Sequence, residues 1–439
     1  MSGASSKSSG GLFNPASRAY RFTVLFFVSM LTFGSYFAYD IIGAIAPTLV
    51  KDLGASRETV GTLYTVYSIA AILSVLIGGF LIDKLGTRMA SMIFSVLVFL
   101  GSALVAFGGS LPLVFAGRFI FGAGSEPLVV AQSAILSRWF KGKELALSFG
   151  IALTVSRLGT LFSFNTGELI VHHFGGYKYA LIAAMLFCLL SLISNIVYVF
   201  MDRYGEKALE LAETGTEEKL VLSDVKKFGP AFWYIAMLCV LFYSAIFPFT
   251  ALSTDFFVDK WGIARVAPTG GGFFNQAFNN FLHMFSTAGG ISSIIIFASM
   301  VLAPFAGQLV DKIGKRATLM IFGSLLLIPS HLMMGLTKIY PAYPMILLGA
   351  AFVLVPAAMW PSVPLIVKKE LVGTAFGLIT FIQNIGLALF PYLNGMLRDK
   401  THNYTASMVM FASLGLFGLV FAFLLKKEDR KLGGVLEKP

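Results

Sequence analysis

The sequence predicts an all-α membrane protein of 12 transmembrane helices, arranged as two pseudo-symmetric six-helix bundles, and three observations predict it. Hydrophobic residues make up 57% of the 439 and charged residues only 13%, whereas soluble domains are about 45–50% apolar and about 25% charged. Mean hydropathy is accordingly high, at +0.81. The apolar residues fall in continuous runs that reach the roughly 20 residues needed to cross hydrocarbon, without the short alternating segments of a β-barrel. A pattern in the first half also returns in the second.

Taken in order, each span is an apolar run bounded by charge, proline or glycine. Span 1 covers 21–48, ahead of Lys51, and span 2 covers 58–81, between Arg57 and Asp83. Span 3 (89–109) follows Arg88, span 4 (112–137) ends at Arg138, span 5 (144–171) stops before His172, and span 6 (177–201) runs from Gly176 to Asp202. In the second half, span 7 (229–256) opens at Gly229, span 8 (286–309) ends before Asp311, and span 9 (317–337) lies between Arg316 and Lys338. Spans 10 (342–366), 11 (371–397) and 12 (404–425) end before Lys368, Arg398 and Lys426. Residues 1–20, polar and without an apolar core, are expected to be a disordered tail and not a cleaved signal peptide, so span 1 acts as the insertion signal. The expected organisation is a first bundle at 21–201, a polar linker at 202–228, a second bundle at 229–425 and a tail at 426–439.

Position explains the net charge of +11. Of the 33 Lys and Arg residues, 23 fall in the tails and loops on the side of the N-terminus, 8 on the opposite side, and Arg118 and Arg157 inside spans. By the positive-inside rule both termini face the cytoplasm. The basic residues form no cluster interleaved with surface aromatics, which excludes nucleic acid as a partner and leaves the lipid bilayer. Cys188 and Cys239 each lie inside an apolar run and are read as packing residues.

The repeat is specific. GGFLIDKLGTR (78–88) returns as AGQLVDKIGKR (306–316), and KELALSFG (143–150) as KELVGTAFG (369–377), at offsets of 228 and 227. Gly159 falls on Gly386, so the halves read as parallel copies related by an axis along the membrane normal. The segment 263–285 has no counterpart in the first half and is expected to be an external loop insertion, either a lid or a disordered loop. Gly79, Asp83 and Arg88, with Asp311 and Arg316 in the repeat, are read as a gating latch. Glycines permit close approach, and the aspartate faces a helix N-terminus and pairs with a base.

Charges inside hydrocarbon are expensive and usually face a cavity or a partner, which singles out Asp40, Arg118, Glu126 and Arg157. Eight residues separate Arg118 from Glu126, about 12 Å along a helix, which puts Glu126 near the middle of the membrane. Arg157 lies about 20 Å along span 5 from the other direction, at the same depth. Neither has a charged counterpart at the repeat offset, where Val353 and Asn384 stand. One carboxylate and one guanidinium suit a zwitterion, the acid taking an ammonium and the fork of Arg a carboxylate. A direct salt bridge between them is the competing arrangement. The sequence holds no P-loop, no HExxH and no hydrolase set, so it predicts no enzyme, no metal and no cofactor, and transport driven by gradients.

The duplicated GxxxDKxGxR pattern resembles the signature loop of the major facilitator superfamily, and Arg118, in RFIFGAG, resembles its fourth-helix Arg motif, which implies a role in coupling or support. Residues 117–159, with YFAYD (36–40), LYTVYS (63–68) and GGFLIDKLG (78–86), are similar to the lysosomal dipeptide transporter family. That resemblance implies that Glu126 and Arg157 contact the two ends of a short peptide. The superfamily resemblance implies that spans 1, 4, 7 and 10 line the cavity, and the aromatic and amide groups of the spans, Tyr39 with Asp40, Tyr64 and Tyr67, Tyr243, Trp360, Gln383 and Asn384, are read as completing it and as further substrate-binding candidates.

The expected function is a secondary active or facilitative transporter of small zwitterionic solutes, dipeptides foremost, by alternating access, with uniport and proton coupling both open. The alternatives are a proton-coupled or exchange carrier of organic anions, in which the arginines bind carboxylates, and a non-transporting membrane receptor or assembly partner. A monomer is expected, with an accessory subunit left open. Compact tails point to a bacterial inner membrane in preference to the lysosome, although Asn403-Tyr404-Thr405 is a sequon on the external side.

Overall fold

The computed structural model describes residues 14–52, 54–140, 144–209, 222–267 and 271–438. Most of the expected tail, the middle of the linker, and Lys7, Lys141, Lys143 and Lys219 lie outside the described residues. Twelve helices among the described residues are long and apolar enough to cross a membrane. Spans 1 to 6 are Arg18–Ala44, the two limbs of Arg57–Phe107, Leu111–Phe140, Leu145–Phe174 and Tyr177–Leu209. Spans 7 to 12 are Pro230–Trp261, Ala288–Ile313, Arg316–Leu336, Ala342–Ile366, Val372–Thr401 and Thr405–Lys431. An even number of crossings returns both termini to one side, the terminal face, with the far face opposite.

The differences from the expected boundaries have physical causes. Spans 2 and 3 are one helix bent at Gly86, whose φ of +75° only glycine adopts easily. Span 1 stops at Ala44, and a short helix, Ala46–Lys51, follows with Pro47 in its first turn, where proline's missing N–H is harmless. Spans 6 and 12 continue past 201 and 425, because a helix outside hydrocarbon needs no apolar side chains. Each extension carries a buried aspartate, Asp202 and Asp429, 227 positions apart and thus a further part of the repeat.

These two aspartates organise the terminal face of each half. Asp202 accepts from Trp139 Nε1 at 2.6 Å and from Arg138 Nη1 at 2.9 Å, and Arg88 joins at 3.5 Å while pairing with Glu206 at 2.6 Å. In the second half the positions matching Arg138 and Trp139 are Leu365 and Ile366, and the C-terminal tail replaces them. Leu436 N donates to Asp429 Oδ1 at 2.9 Å, Glu437 caps span 9 through Thr318 N and Oγ1, and Arg316 donates to the Lys438 carbonyl. Residues 432–438 are therefore built into the second bundle.

Arg138 is buried, with a side-chain exposure of 1%, so Asp202→Asn leaves it without its nearest counter-charge. The expected loss is about 3–5 kcal/mol of stability, read as a lower thermal unfolding midpoint of the purified protein. The surface pair Glu428–Lys431 is the control. Water screens such a pair and its two long side chains lose freedom in making it, so Glu428→Gln should leave the midpoint nearly unchanged.

Candidate functional site

The halves close on each other at the far face. Span 2 packs on span 11, span 5 on span 8 and span 1 on span 7. Arg57 of span 2 donates to Asp255 of span 7 through Nε at 2.6 Å, with Asp259 3.9 Å away. Tyr404 OH donates to the same Asp255 carboxylate at 2.5 Å, and Arg398 grips Asp259 at 2.9 and 3.0 Å. Asp399 accepts from Glu58 N at 2.8 Å, Thr254 Oγ1 donates to the Gly43 carbonyl, and Asn165 Nδ2 donates to Ser293 at 3.1 Å. Farther along span 2, Thr65 Oγ1 donates to the Ala388 carbonyl of span 11 at 2.5 Å. Spans 5 and 8 approach so closely that a Cβ on Gly289 would stand 1.9 Å from the Phe164 carbonyl oxygen. Among the described residues, the hydrogen bonds and ion pairs that join the halves are concentrated on this far side.

Beneath the closure lies a cavity of about 230 Å³ between the halves, smaller than the roughly 300–1,000 Å³ of sites for drug-sized ligands. Glu126 and Arg157 both line it and both keep partial solvent access. No ion pair joins them among the described residues, so the direct salt bridge does not form and both charges are available to a third party.

Local sequence positions each group. Span 4 approaches span 2 at Gly122, where a Cβ would sit 2.4 Å from the Tyr67 carbonyl oxygen, and this closeness lets Tyr67 OH donate to Glu126 Oε1 at 2.8 Å. Pro127 lies inside the helix immediately after Glu126, removing one backbone donor at that turn. The Arg157 guanidinium makes cation–π contacts to the rings of Tyr36 at 5.9 Å and Phe352 at 5.4 Å, which tie it to spans 1 and 10 at the wall of the cavity. Asp40 is buried within coulombic reach of Arg157 and Arg118.

Of the residues singled out from the sequence, Tyr39, Asp40, Tyr67, Glu126, Arg157, Tyr243 and Gln383 line the cavity. Three others do not. Tyr64 turns its hydroxyl to Gly43 N at 2.8 Å, Trp360 donates from behind to Tyr243 OH at 2.9 Å, and Asn384 is buried and bonded to the Thr380 carbonyl of its own helix. A helix shows only a fraction of its surface to a cavity, and these side chains fall on the packed faces. Tyr36 escaped notice although it shares a face with Tyr39 and Asp40 at i+3 and i+4. Thr160, one turn from Arg157, escaped as well.

Arg118 is fully buried and outside the cavity. Its guanidinium is enclosed by Tyr39, Tyr64, Tyr67 and Phe121 at 5.3–5.6 Å, and donates to the carbonyls of Leu63 and Ala38. It binds spans 1 and 2 to span 4, and through them holds the aromatic wall of the cavity. Among the described residues, the second-half members of the expected latch, Asp311 and Arg316, make no hydrogen bond or ion pair to the first half. Arg88 and Arg316 bond within their own halves, Asp311 has no ion pair or hydrogen bond among the described residues, and a Cβ on Gly307 would meet nothing within 4 Å. The close approach expected of the motif glycines is absent at Gly307, as follows if the halves stand apart on this face.

Comparison with known proteins agrees with this architecture. A model of the Major Facilitator Superfamily matches residues 28–278 and again 269–438. The chain is 33% identical over 446 residues to the human lysosomal dipeptide transporter MFSD1, covering 97% of this chain and 90% of that protein. It is 33% identical to the Danio rerio protein of the same name, covering 96% and 90%. In structure it resembles a mutant of the peptide transporter POT, with a TM-score of 0.72 at 14% identity, covering 94% of this chain and 95% of that one, a likeness of fold. The MFSD1 relatives, at 33% identity, are named lysosomal, which lends the bacterial inner-membrane expectation no support.

Proposed function

The chain belongs to the major facilitator superfamily, and on that premise we propose that this membrane transporter moves small zwitterionic solutes, dipeptides foremost, by alternating access. The observation that carries the reading is the pair Glu126 and Arg157, two opposite charges in one solvent-accessible cavity without an ion pair between them. An extended dipeptide spans about 7 Å, so its ammonium and carboxylate can meet a separated acid and base at once. The guanidinium fork takes the carboxylate through two N–H groups, and Glu126, already oriented by Tyr67, takes the ammonium. Tyr36, Tyr39 and Tyr243 give the side chains an apolar wall with polar edges, and a cavity of this volume suits a solute of amino-acid to dipeptide size. The name of the MFSD1 relatives, at 33% identity, supports the same substrate class.

The transport cycle follows from the two faces. With the far face clasped and Asp311 and Arg316 not joined to the first half, the cavity communicates with the terminal face, which the distribution of Lys and Arg makes cytoplasmic. Rocking the halves about the site breaks the clasps of Arg57 and Asn165 and brings Asp83 and Asp311 against the opposite half. Glu126 and Arg157 both belong to the first half, so the cargo keeps its charge partners while the second half moves over it.

A thermal-shift screen of purified protein against amino acids, dipeptides, monocarboxylates and dicarboxylates tests the reading. Dipeptides are expected to raise the unfolding midpoint, with about 2.7 kcal/mol gained at a hundredfold excess over Kd, and carboxylates lacking an ammonium are expected to leave it unchanged. A shift with dicarboxylates alone would establish the organic-anion reading, in which Glu126 serves only to pair Tyr67. No shift and no flux across the whole panel would favour a receptor built on a transporter fold.

A further inference from the structure

The insertion between spans 7 and 8 contains a ten-residue helix, Phe273–Leu282, with no counterpart in the first half, and its side chains divide into three groups. At about 100° per residue, Phe273 and Asn280 fall on the side that meets the protein. Asn280 is buried, its Oδ1 accepting from Ala267 N at 2.7 Å and its Nδ2 donating to the Asn165 carbonyl of span 5 at 3.2 Å. Phe273 packs against His173 and Phe174 at the far end of span 5, at 5.5 and 5.8 Å. Gln276 and Asn279 form a polar second side, and Asn275 stands at its border with the third. The third side carries Phe274, Phe278, Phe281 and Leu282, and the chain beyond adds Phe285; Phe274 is 86% exposed, Phe278 61%, Leu282 59% and Phe285 51%.

A helix that bore its apolar side into water would place three phenylalanines and a leucine there with no compensation. The attachments of the helix point to what covers them instead. It hangs between the far-face ends of spans 7 and 8, and both of its ends are attached to aromatic residues where neighbouring spans leave the membrane. Phe273 meets Phe174 at the span 5–6 turn, and the Phe285 carbonyl accepts from Tyr340 OH at 2.5 Å at the span 9–10 turn. Exposed Tyr179 and Tyr343 stand at the same turns, and exposed Tyr is the residue that concentrates at membrane–water interfaces. Protein on one side, a polar side and an apolar side is the section of a helix lying at the edge of a membrane protein, in the plane of the interface.

We infer that Phe273–Leu282 is an interfacial anchor, with Phe274, Phe278 and Leu282 buried in the headgroup and upper acyl layer of the far-side leaflet and Asn280 tying it to span 5. The helix carries no charged residue, so apolar burial alone holds it and its insertion is independent of the lipid's charge.

Spin labels on the full-length protein in lipid vesicles test this. Cys188 and Cys239 are both buried, so labelling is directed to an introduced cysteine, Phe278→Cys or, on the polar side, Asn279→Cys. At 278 the label should collide readily with oxygen and at least several-fold less with a water-soluble nickel chelate, and at 279 the preference should reverse. The pattern should be the same in phosphatidylcholine vesicles with and without phosphatidylglycerol. Ready collision with the nickel chelate at 278 would place the helix in water and overturn the proposal. Poor collision with both reagents would mean that protein, either another subunit or a second copy, covers the face, and would overturn it equally. A pattern at 278 that appears only with anionic lipid would overturn the charge-independent part.

Discussion

Arg157→Ala is expected to abolish measurable dipeptide binding and transport while leaving the protein folded. Removing one partner of a desolvated charge-assisted pair costs about 2–5 kcal/mol, a loss of at least about 30-fold in affinity. Among the described residues Arg157 makes cation–π contacts to Tyr36 and Phe352 and lies within coulombic reach of Asp40, with no hydrogen bond or ion pair of its own, so little structure depends on it. Arg157→Lys should recover part of the affinity, since it keeps the charge and loses the planar fork. Glu126→Gln is the decisive companion, because it keeps an acceptor for Tyr67 OH and removes only the charge. If Glu126 holds the ammonium, dipeptide affinity falls about tenfold or more in titration calorimetry, about 1.4 kcal/mol. Under the organic-anion reading the same change relieves repulsion, and carboxylate affinity holds or rises. Retention of wild-type dipeptide affinity by both variants would remove the basis of the site assignment.

The second large effect is expected at Arg57. Its partner Asp255 has a side-chain exposure of only 6%, and Arg57→Ala leaves that carboxylate with Tyr404 OH in a closed interface, whereas an opened far face would hydrate it. Breaking a buried pair costs about 3–5 kcal/mol. Arg57 is itself partly exposed at 18%, so about 2–3 kcal/mol is a fitting expectation, a shift of roughly 30- to 150-fold toward the state open at the far face. Labels introduced at the far-face positions Lys178 and Lys338, one in each half, should then show a longer distance distribution by pulsed electron resonance. Asp255→Asn should act in the same direction and the double variant should add little, since each removes the same interaction. An unchanged distribution in Arg57→Ala would mean that the helix packing at Gly289 and along spans 2 and 11 holds the far face without the ion pair.

Particular residues show what was legible beforehand. The twelve spans could be read because hydrocarbon allows only long apolar helices, and the two halves because their loop pattern recurs. Glu126 and Arg157 stood out because charge inside a membrane demands a reason. Tyr64, Trp360 and Asn384 were misplaced because type and depth alone do not say which way a helix is rotated. The same uncertainty hid Tyr36. The clasps of Arg57 to Asp255 and of Asn280 to span 5 join residues far apart in the chain, and no local pattern marks them.

By itself, then, the sequence determined that this chain crosses a membrane twelve times in two related bundles with an acid and a base near mid-depth, because hydrophobic length, charge placement and repetition are local properties. Only the tertiary structure decided that those two charges share one cavity without pairing, that the far face is closed, that the tail is part of the second bundle and that Arg118 is enclosed by aromatic rings. Those outcomes depend on helix rotation and on contacts between distant segments, which packing sets and no single stretch of sequence specifies.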